Sequence, residues 1–365
     1  MKAQFESTIR SYLSPIRKYL DDPAVSEVMI NSPSEIWIEI GGQISRVPET
    51  FESEEALMSA VNNISQFVHR SISQESPRLD ARLPDGSRVH IIIPPCSKKG
   101  ICVTIRKFSK DILTVEKLVG YGSITEDAVA FLGASVQLKK NILVSGGTGS
   151  GKTSLLNALS SLIPDEERII VIEDSSELQL QKEHVVLLET KMADKKGQGE
   201  VSIRDLLHSS LRMRPDRIII GELRGGEALD FLQAMNTGHG GSMGTVHANN
   251  PEDTLARLET LTLYSGVDLP LKAVRKQIAS AIDIIVQTSR YSDGSRKISQ
   301  ITEVVSLERD EYETRDLFSY RQEGLDENGK VTGFLQISET PPSFYHQYEQ
   351  GGIALPQSLL SCWSS

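Results

Sequence analysis

Apolar positions change their rhythm along this chain. Over the first hundred residues they alternate, and residues 25–30 and 35–40 read as strands, with Gly41-Gly42 as a hairpin signal. Leu57, Val61, Ile64 and Val68 recur at helical spacing and predict a helix over residues 52–69, with Ser53 as its N-cap. Residues 88–93 and 101–108 predict two more strands, joined through Pro94-Pro95 and a Lys98-Lys99-Gly100 turn. A Leu83-Pro84-Asp85-Gly86 turn precedes the first of them. Residues 1–108 are therefore expected to form an N-terminal mixed α/β domain with a leading helix.

Residues 109–123 are polar and punctuated by Gly120 and Gly122, which places a hinge linker there. Beyond it the pattern becomes strand, loop, helix, repeated. Strands are predicted at 142–145, 169–173, 185–189, 217–221 and 244–247, and helices at 152–162, 203–212, 226–235 and 252–263. This alternation predicts an α/β domain over residues 124–310 with a mostly parallel sheet covered on both faces. From about residue 301 the pattern weakens into strand-like fragments, a Pro341-Pro342 break and a serine-rich end. Residues 311–365 are expected to be a C-terminal appendage with a frayed tail.

Length supports this division, since 365 residues at roughly 150 per domain suggest two domains. Charge narrows the partners. With 39 basic and 49 acidic residues the formal charge is −10, which argues against a protein that coats nucleic acid. Cys96, Cys102 and Cys362 are too few for a disulfide scaffold and fit no zinc spacing, so a reducing compartment is expected. The N-terminus lacks the apolar core of a signal peptide, and the most apolar stretch, residues 279–286, is short and broken by Asp283. A cytosolic chain is expected, with any membrane role reached through partners.

The strongest local signal is Gly146-Gly147-Thr148-Gly149-Ser150-Gly151-Lys152-Thr153, a G-x-x-x-x-G-K-[ST] phosphate loop between a predicted strand and helix. Glycines let backbone N–H groups turn inward around a β-phosphate, and a helix N-terminus favours negative charge there. Lys152 is placed to reach the β- and γ-phosphates of ATP, and the Thr153 hydroxyl to ligate Mg²⁺.

The loop alone predicts nucleotide binding. Hydrolysis needs acidic groups at neighbouring strand ends. Two strand ends supply them: residues 169–172 run into Glu173-Asp174, and residues 218–221 run into Glu222. Each carboxylate can polarise a water or hold the Mg²⁺ hydration shell, or can merely cap a loop. His239 and His247 lie in one glycine-rich run. They lack the partners of a metal cluster, so they are candidates for sensing the γ-phosphate or for plain hydrogen bonding to backbone. Arg212 and Arg214 read as surface or subunit-contact charges. Arg82, Arg88 and Arg106 belong to the first domain, where an arginine reaching in from outside the loop domain could stabilise transition-state charge or form salt bridges.

The phosphate loop, then Ile172-Glu173-Asp174, then residues 211–225 and 238–250, together resemble the ATPases of the type II/type IV secretion superfamily. They stand in that family's order of Walker A, Asp box, atypical Walker B and His box. Residues 80–89, Ile93-Pro94-Pro95 and residues 104–108 look like the CpaF-like branch, which serves tight-adherence (Tad) pili. Residues 25–31 and 324–330 look like that branch too, and the match spans about residues 20–355.

The resemblance implies an N-terminal domain hinged to a RecA-like domain, assembled as a homo-hexamer with ATP between the domains at a subunit interface. It implies a peripheral position at the bacterial inner membrane, driving platform proteins of a Tad-like pilus. Carried over by position, Glu222 is the water-activating glutamate, Glu173 supports Mg²⁺ partly through water, and His247 belongs to the His box. Arg88 and Arg106 become candidates for reaching the phosphates. Many CpaF-like proteins carry a long N-terminal extension that this chain is expected to lack, and the tetracysteine zinc module of the type II branch has no counterpart here. Three alternatives remain open. They are a conjugation or effector-exporting type IV secretion ATPase, a nucleotide-gated scaffold with little turnover, and a nucleic-acid motor, the last weakened by the charge and by 5% aromatic content.

Overall fold

Strands buried on both faces need apolar side chains at consecutive positions, whereas strands covered on one face need them only at alternate positions. Both patterns occur here, in separate places. A computed structural model of the chain describes residues 8–108, 113–193 and 197–363. The chain divides into two units, Met1–Asp111 and Ile112–Ser365.

The first unit holds an antiparallel sheet in the order β3-β2-β1-β6-β5-β4. Its strands are β1 (Val25–Ser32), β2 (Glu35–Ile40), β3 (Gln43–Val47), β4 (Arg78–Arg82), β5 (Arg88–Ile92) and β6 (Cys102–Arg106). Alternate residues such as Val28, Ile30, Val89, Ile91, Val103 and Ile105 are buried with Leu57, Val61 and Ile64 of the helix Glu54–Phe67. Ser53 caps that helix, its hydroxyl accepting from the Ala56 N–H.

The second unit holds a sheet in the order β15-β14-β13-β12-β7-β11-β10-β8-β9. The strands β7 (Ile142–Gly146), β8 (Ile169–Glu173), β9 (Val185–Glu189), β10 (Arg217–Leu223), β11 (Met243–His247) and β12 (Ile284–Arg290) run parallel. Along β7, Ile142 and Val144 join one core while Leu143 joins the other; Ile169 and Ile170 divide likewise on β8. Helices Glu126–Gln137 and Lys152–Ser160 cover the first face. Ile203–Ser210, Glu227–Asn236, Pro251–Leu263 and Leu271–Ala281 cover the second. Among the described residues, no helix is long and apolar enough to cross a membrane.

Two expectations need correction. Residues 109–112 of the expected hinge lie outside the described residues, but residues 115–120 form a helix whose Val115 and Leu118 are buried in the second unit. That part of the linker is core, because its apolar residues find a partner surface. The C-terminal appendage is likewise not separate. β13 (Arg296–Glu308), β14 (Glu311–Leu325) and β15 (Val331–Ile337) extend the same sheet by antiparallel pairing, so the boundary expected at 310 falls in the turn between two paired strands. Nor is the tail frayed up to residue 363. Tyr348, Leu359 and Trp363 are buried, and the Trp363 ring stands edge-on to Phe131 at 5.8 Å. The last two residues lie outside the described residues.

Candidate functional site

Because β7, β8, β10, β11 and β12 are parallel, their carboxyl ends share one rim of the sheet. The glycine loop leaves β7 at that rim and enters the helix Lys152–Ser160. Gly149 (φ 68°) and Gly151 (φ 99°) adopt the left-handed backbone that turns successive N–H groups toward one side. Gly151 is the helix N-cap, so the loop ends where the helix dipole favours an anion. Lys152 Nζ donates to the carbonyls of Gly146 at 3.0 Å and Gly147 at 2.9 Å. Ser150 is turned inward, its hydroxyl 2.9 Å from the Gly147 carbonyl oxygen and 2.8 Å from Thr288 Oγ1.

Buried polar groups tie this loop to its neighbours. Ser145 bonds Thr254 at 2.7 Å and donates to Gln287 Oε1; the Gln287 amide donates to the Ala248 carbonyl at 3.3 Å. Strand β12, the loop strand and the segment after His247 are thereby held in one register.

Glu173, Glu222 and His247 lie at the carboxyl-end rim. Glu173 ends β8 and is buried; its Oε1 accepts from the N–H groups of Glu177 at 3.0 Å and Leu178 at 3.2 Å. The carboxylate thus caps the loop after β8, its Oε2 also accepting from the Leu178 N–H at 3.4 Å. Glu222 lies in β10, which runs two residues past its expected end. Arg224 Nε donates to Glu222 at 2.9 Å, and its Nη1 reaches Asp174 at 3.1 Å. Burial opposes the Arg224 charge, but its bond to Glu222 and the fields of Glu222, Asp174 and Glu177 raise its pKa above the usual arginine value. His247 ends β11 as the direct register partner of Gly146.

His239 precedes β11 and so lies toward the opposite rim, where its carbonyl accepts from the Ser242 hydroxyl. Arg88 and Arg106 belong to the first unit, as direct partners on β5 and β6, and Arg82 pairs with Arg88. Sequence reasoning missed Arg224, although it lies within the run that carries Glu222. It also missed Arg217, which is fully buried beneath Gly241, paired with Glu167 and bonded to the carbonyls of Val136 at 2.8 Å and Gly241 at 3.1 Å. A glycine run before a strand start was the available signal for that packing.

The donor set also suits a hard cation. Thr153 and the carboxylates offer oxygen only, which fits Mg²⁺, an ion that takes one or two protein oxygens beside phosphate and water.

A strand, glycine loop and helix in the middle of a mostly parallel sheet define an α/β phosphate-loop protein. The chain belongs to the Type II/IV secretion system protein family, whose model matches residues 10–349. It is similar to a putative conjugal transfer protein of Mycobacterium tuberculosis, 34% identical over 304 residues, covering 82% of this chain and 85% of the relative. It is also similar to the type IV secretion system protein VirB11 of Brucella suis, 36% identical over 324 residues, covering 81% and 90%. Two solved structures share its fold. The pilus retraction motor PilT with bound ADP gives a TM-score of 0.56 at 18% identity, covering 96% of this chain and 92% of that one. The Legionella pneumophila ATPase DotB gives 0.57 at 17% identity, covering 81% of each. The expected architecture, an α/β unit followed by a RecA-like unit with a mostly parallel sheet, is the one observed.

Proposed function

We propose that this chain is an ATP-hydrolysing motor of a type IV secretion machine of the conjugation or effector-exporting kind. The observation that carries the reading is the phosphate loop on the same sheet rim as Glu222, which lies on β10, two strands from β7, with its carboxylate held by Arg224. Relatives named for conjugal transfer and type IV secretion favour this reading over the pilus one. The tight-adherence pilus stays as a second reading, resting on the Asp80–Val89 motif, and neighbouring genes for pilin would favour it.

In this reading the loop from Gly146 to Thr153 wraps the phosphates, with N–H groups inward and Lys152 against the β- and γ-phosphates. Thr153, and Glu173 partly through water, would hold Mg²⁺, which when bound neutralises phosphate charge. Glu222 takes a proton from the attacking water as its oxygen bonds the γ-phosphorus. The bond to the β–γ bridging oxygen breaks, releasing ADP and phosphate. His247, beside Gly146, reports the γ-phosphate to the segment that Gln287 holds. Arg88 and Arg106 supply positive charge from the N-terminal unit. The working form is a homo-hexamer at the cytoplasmic face of the inner membrane, acting on membrane-embedded platform proteins without binding nucleic acid.

Glu222→Gln tests this reading against a non-hydrolysing scaffold. Parent protein with Mg²⁺ and ATP should release phosphate, and the variant should bind ATP within about threefold yet turn over at least about a hundredfold slower. Normal hydrolysis by the variant would remove Glu222 from the mechanism.

A further inference from the structure

The phosphate loop has a second wall. On the side of β7 away from β11 lies β12, and a turn at residues 291–295 leads from it into β13. Arg290 and Arg296 are direct cross-strand partners at the mouth of this hairpin. Both stand against the loop. A Cβ added at Gly149 would lie 3.7 Å from Arg290 Nη1, and one at Gly151 would lie 3.5 Å from Arg296 Cδ. Arg296 Nε donates to the Gly149 carbonyl at 2.7 Å. Two guanidinium groups of one hairpin therefore stand beside the loop.

The hairpin is built to hold these groups in place. Asp293 accepts from the Ser295 hydroxyl at 2.6 Å, the Ser295 N–H at 2.9 Å and the Val331 N–H of β15 at 2.8 Å. Bonds from the Ser295 side chain and the Val331 backbone hold its carboxyl down to about 2, so the turn stays fastened at neutral pH. Tyr291 closes the turn by donating its N–H to the Ser295 carbonyl at 2.9 Å, and its ring packs on Tyr320 at 5.3 Å.

We propose that Arg290 and Arg296 form a phosphate clamp that grips the polyphosphate of a bound nucleotide from the β12 side. The inference rests on the phosphate-loop reading above and adds a second side to it. Carboxylates for water and cation sit at the β10 and β8 ends, whereas two guanidinium groups sit at the β12 end. A guanidinium presents a planar fork matched to phosphate oxygens, and two of them on a fixed hairpin lose little freedom on binding.

The test is calorimetric titration of the full chain with ADP at two salt concentrations, using Arg290→Gln, Arg296→Gln, the double variant and Lys152→Ala. Each single arginine variant should weaken ADP binding about tenfold and flatten its salt dependence, and the double variant should weaken it further. A role for Arg296 confined to bracing the Gly149 carbonyl would weaken binding with the salt dependence unchanged, and would overturn the clamp. So would affinities within twofold of the parent for all three arginine variants. If Lys152→Ala alone abolished binding in that case, the phosphate-loop reading would stand without the clamp. If Lys152→Ala also bound normally, both would fall.

Discussion

In the N-terminal sheet, β4, β5 and β6 bring Arg82, Arg88 and Arg106 into one cross-strand row, and the row continues on β1 to Glu27. In the C-terminal unit the charged groups gather at strand ends, around a glycine loop. An antiparallel register aligns side chains across a face, so charges meet sideways and can carry a counter-charge within the row. Burial pushes the Glu27 carboxyl up, the Arg106 charge pulls it back, and Glu39 on β2 pushes it up again. A parallel sheet aligns carboxyl ends, so its groups meet at a rim where loops are free to enclose a ligand. One architecture makes a charged face and the other a charged mouth.

The largest expected contrast concerns packing. In the C-terminal unit Gly241 has a φ of 80°, and an added Cβ would run into the buried Arg217 guanidinium. Gly241→Ala should cost about 3–5 kcal/mol, since it displaces a buried paired charge. Gly41 in the turn between β2 and β3 also has a positive φ, 58°, but a Cβ there meets nothing within 4 Å. Gly41→Ala should cost only about 1 kcal/mol. Urea denaturation of the full chain would compare them, and equal losses would break the packing contrast.

Next comes the arginine row. Arg88→Ala and Arg106→Ala should each slow phosphate release about tenfold or more while leaving ADP affinity within twofold, as expected of groups that act on transition-state charge. Unchanged turnover would make the row an ordinary feature of a sheet face. The smallest effect is pH-dependent. Asp293 has a folded pKa of about 2 against an ordinary 3.8, so its contribution is present above the latter and lost as pH falls toward the former. Asp293→Asn should lower the melting temperature by a few degrees at pH 7, and the difference should vanish by about pH 2. Glu27 has the opposite sign, because its folded pKa is raised and its ionised form costs stability. Glu27→Gln should therefore leave the pH 7 melting temperature unchanged or slightly higher.

The motif from Gly146 to Thr153 and the parallel strands were legible in the sequence because their signals are local. Uninterrupted runs such as Ile169–Ile172 announce burial on both faces, and a phosphate loop announces itself by spacing. What escaped was set by pairing across distance. Arg290 and Arg296 meet Gly149 only through the β12–β7 register, and nothing near them in the chain encodes that neighbour. Arg217 looked like the start of a strand, and its burial depends on a glycine at 241. The tail read as frayed because Tyr348 and Trp363 are sparse, yet each finds an aromatic or hydroxyl partner around the helix Glu126–Gln137.

The ammonium of Lys152 already holds the carbonyls of Gly146 and Gly147. On the proposed function, nucleotide binding would exchange neutral acceptors for anionic ones and would not recruit this side chain from bulk solvent. Part of the ordering cost of the loop is met during folding, so the affinity measured by titration is a difference between two well-made sets of hydrogen bonds. Weakening the first set would strengthen binding on paper while loosening the cradle that makes binding selective.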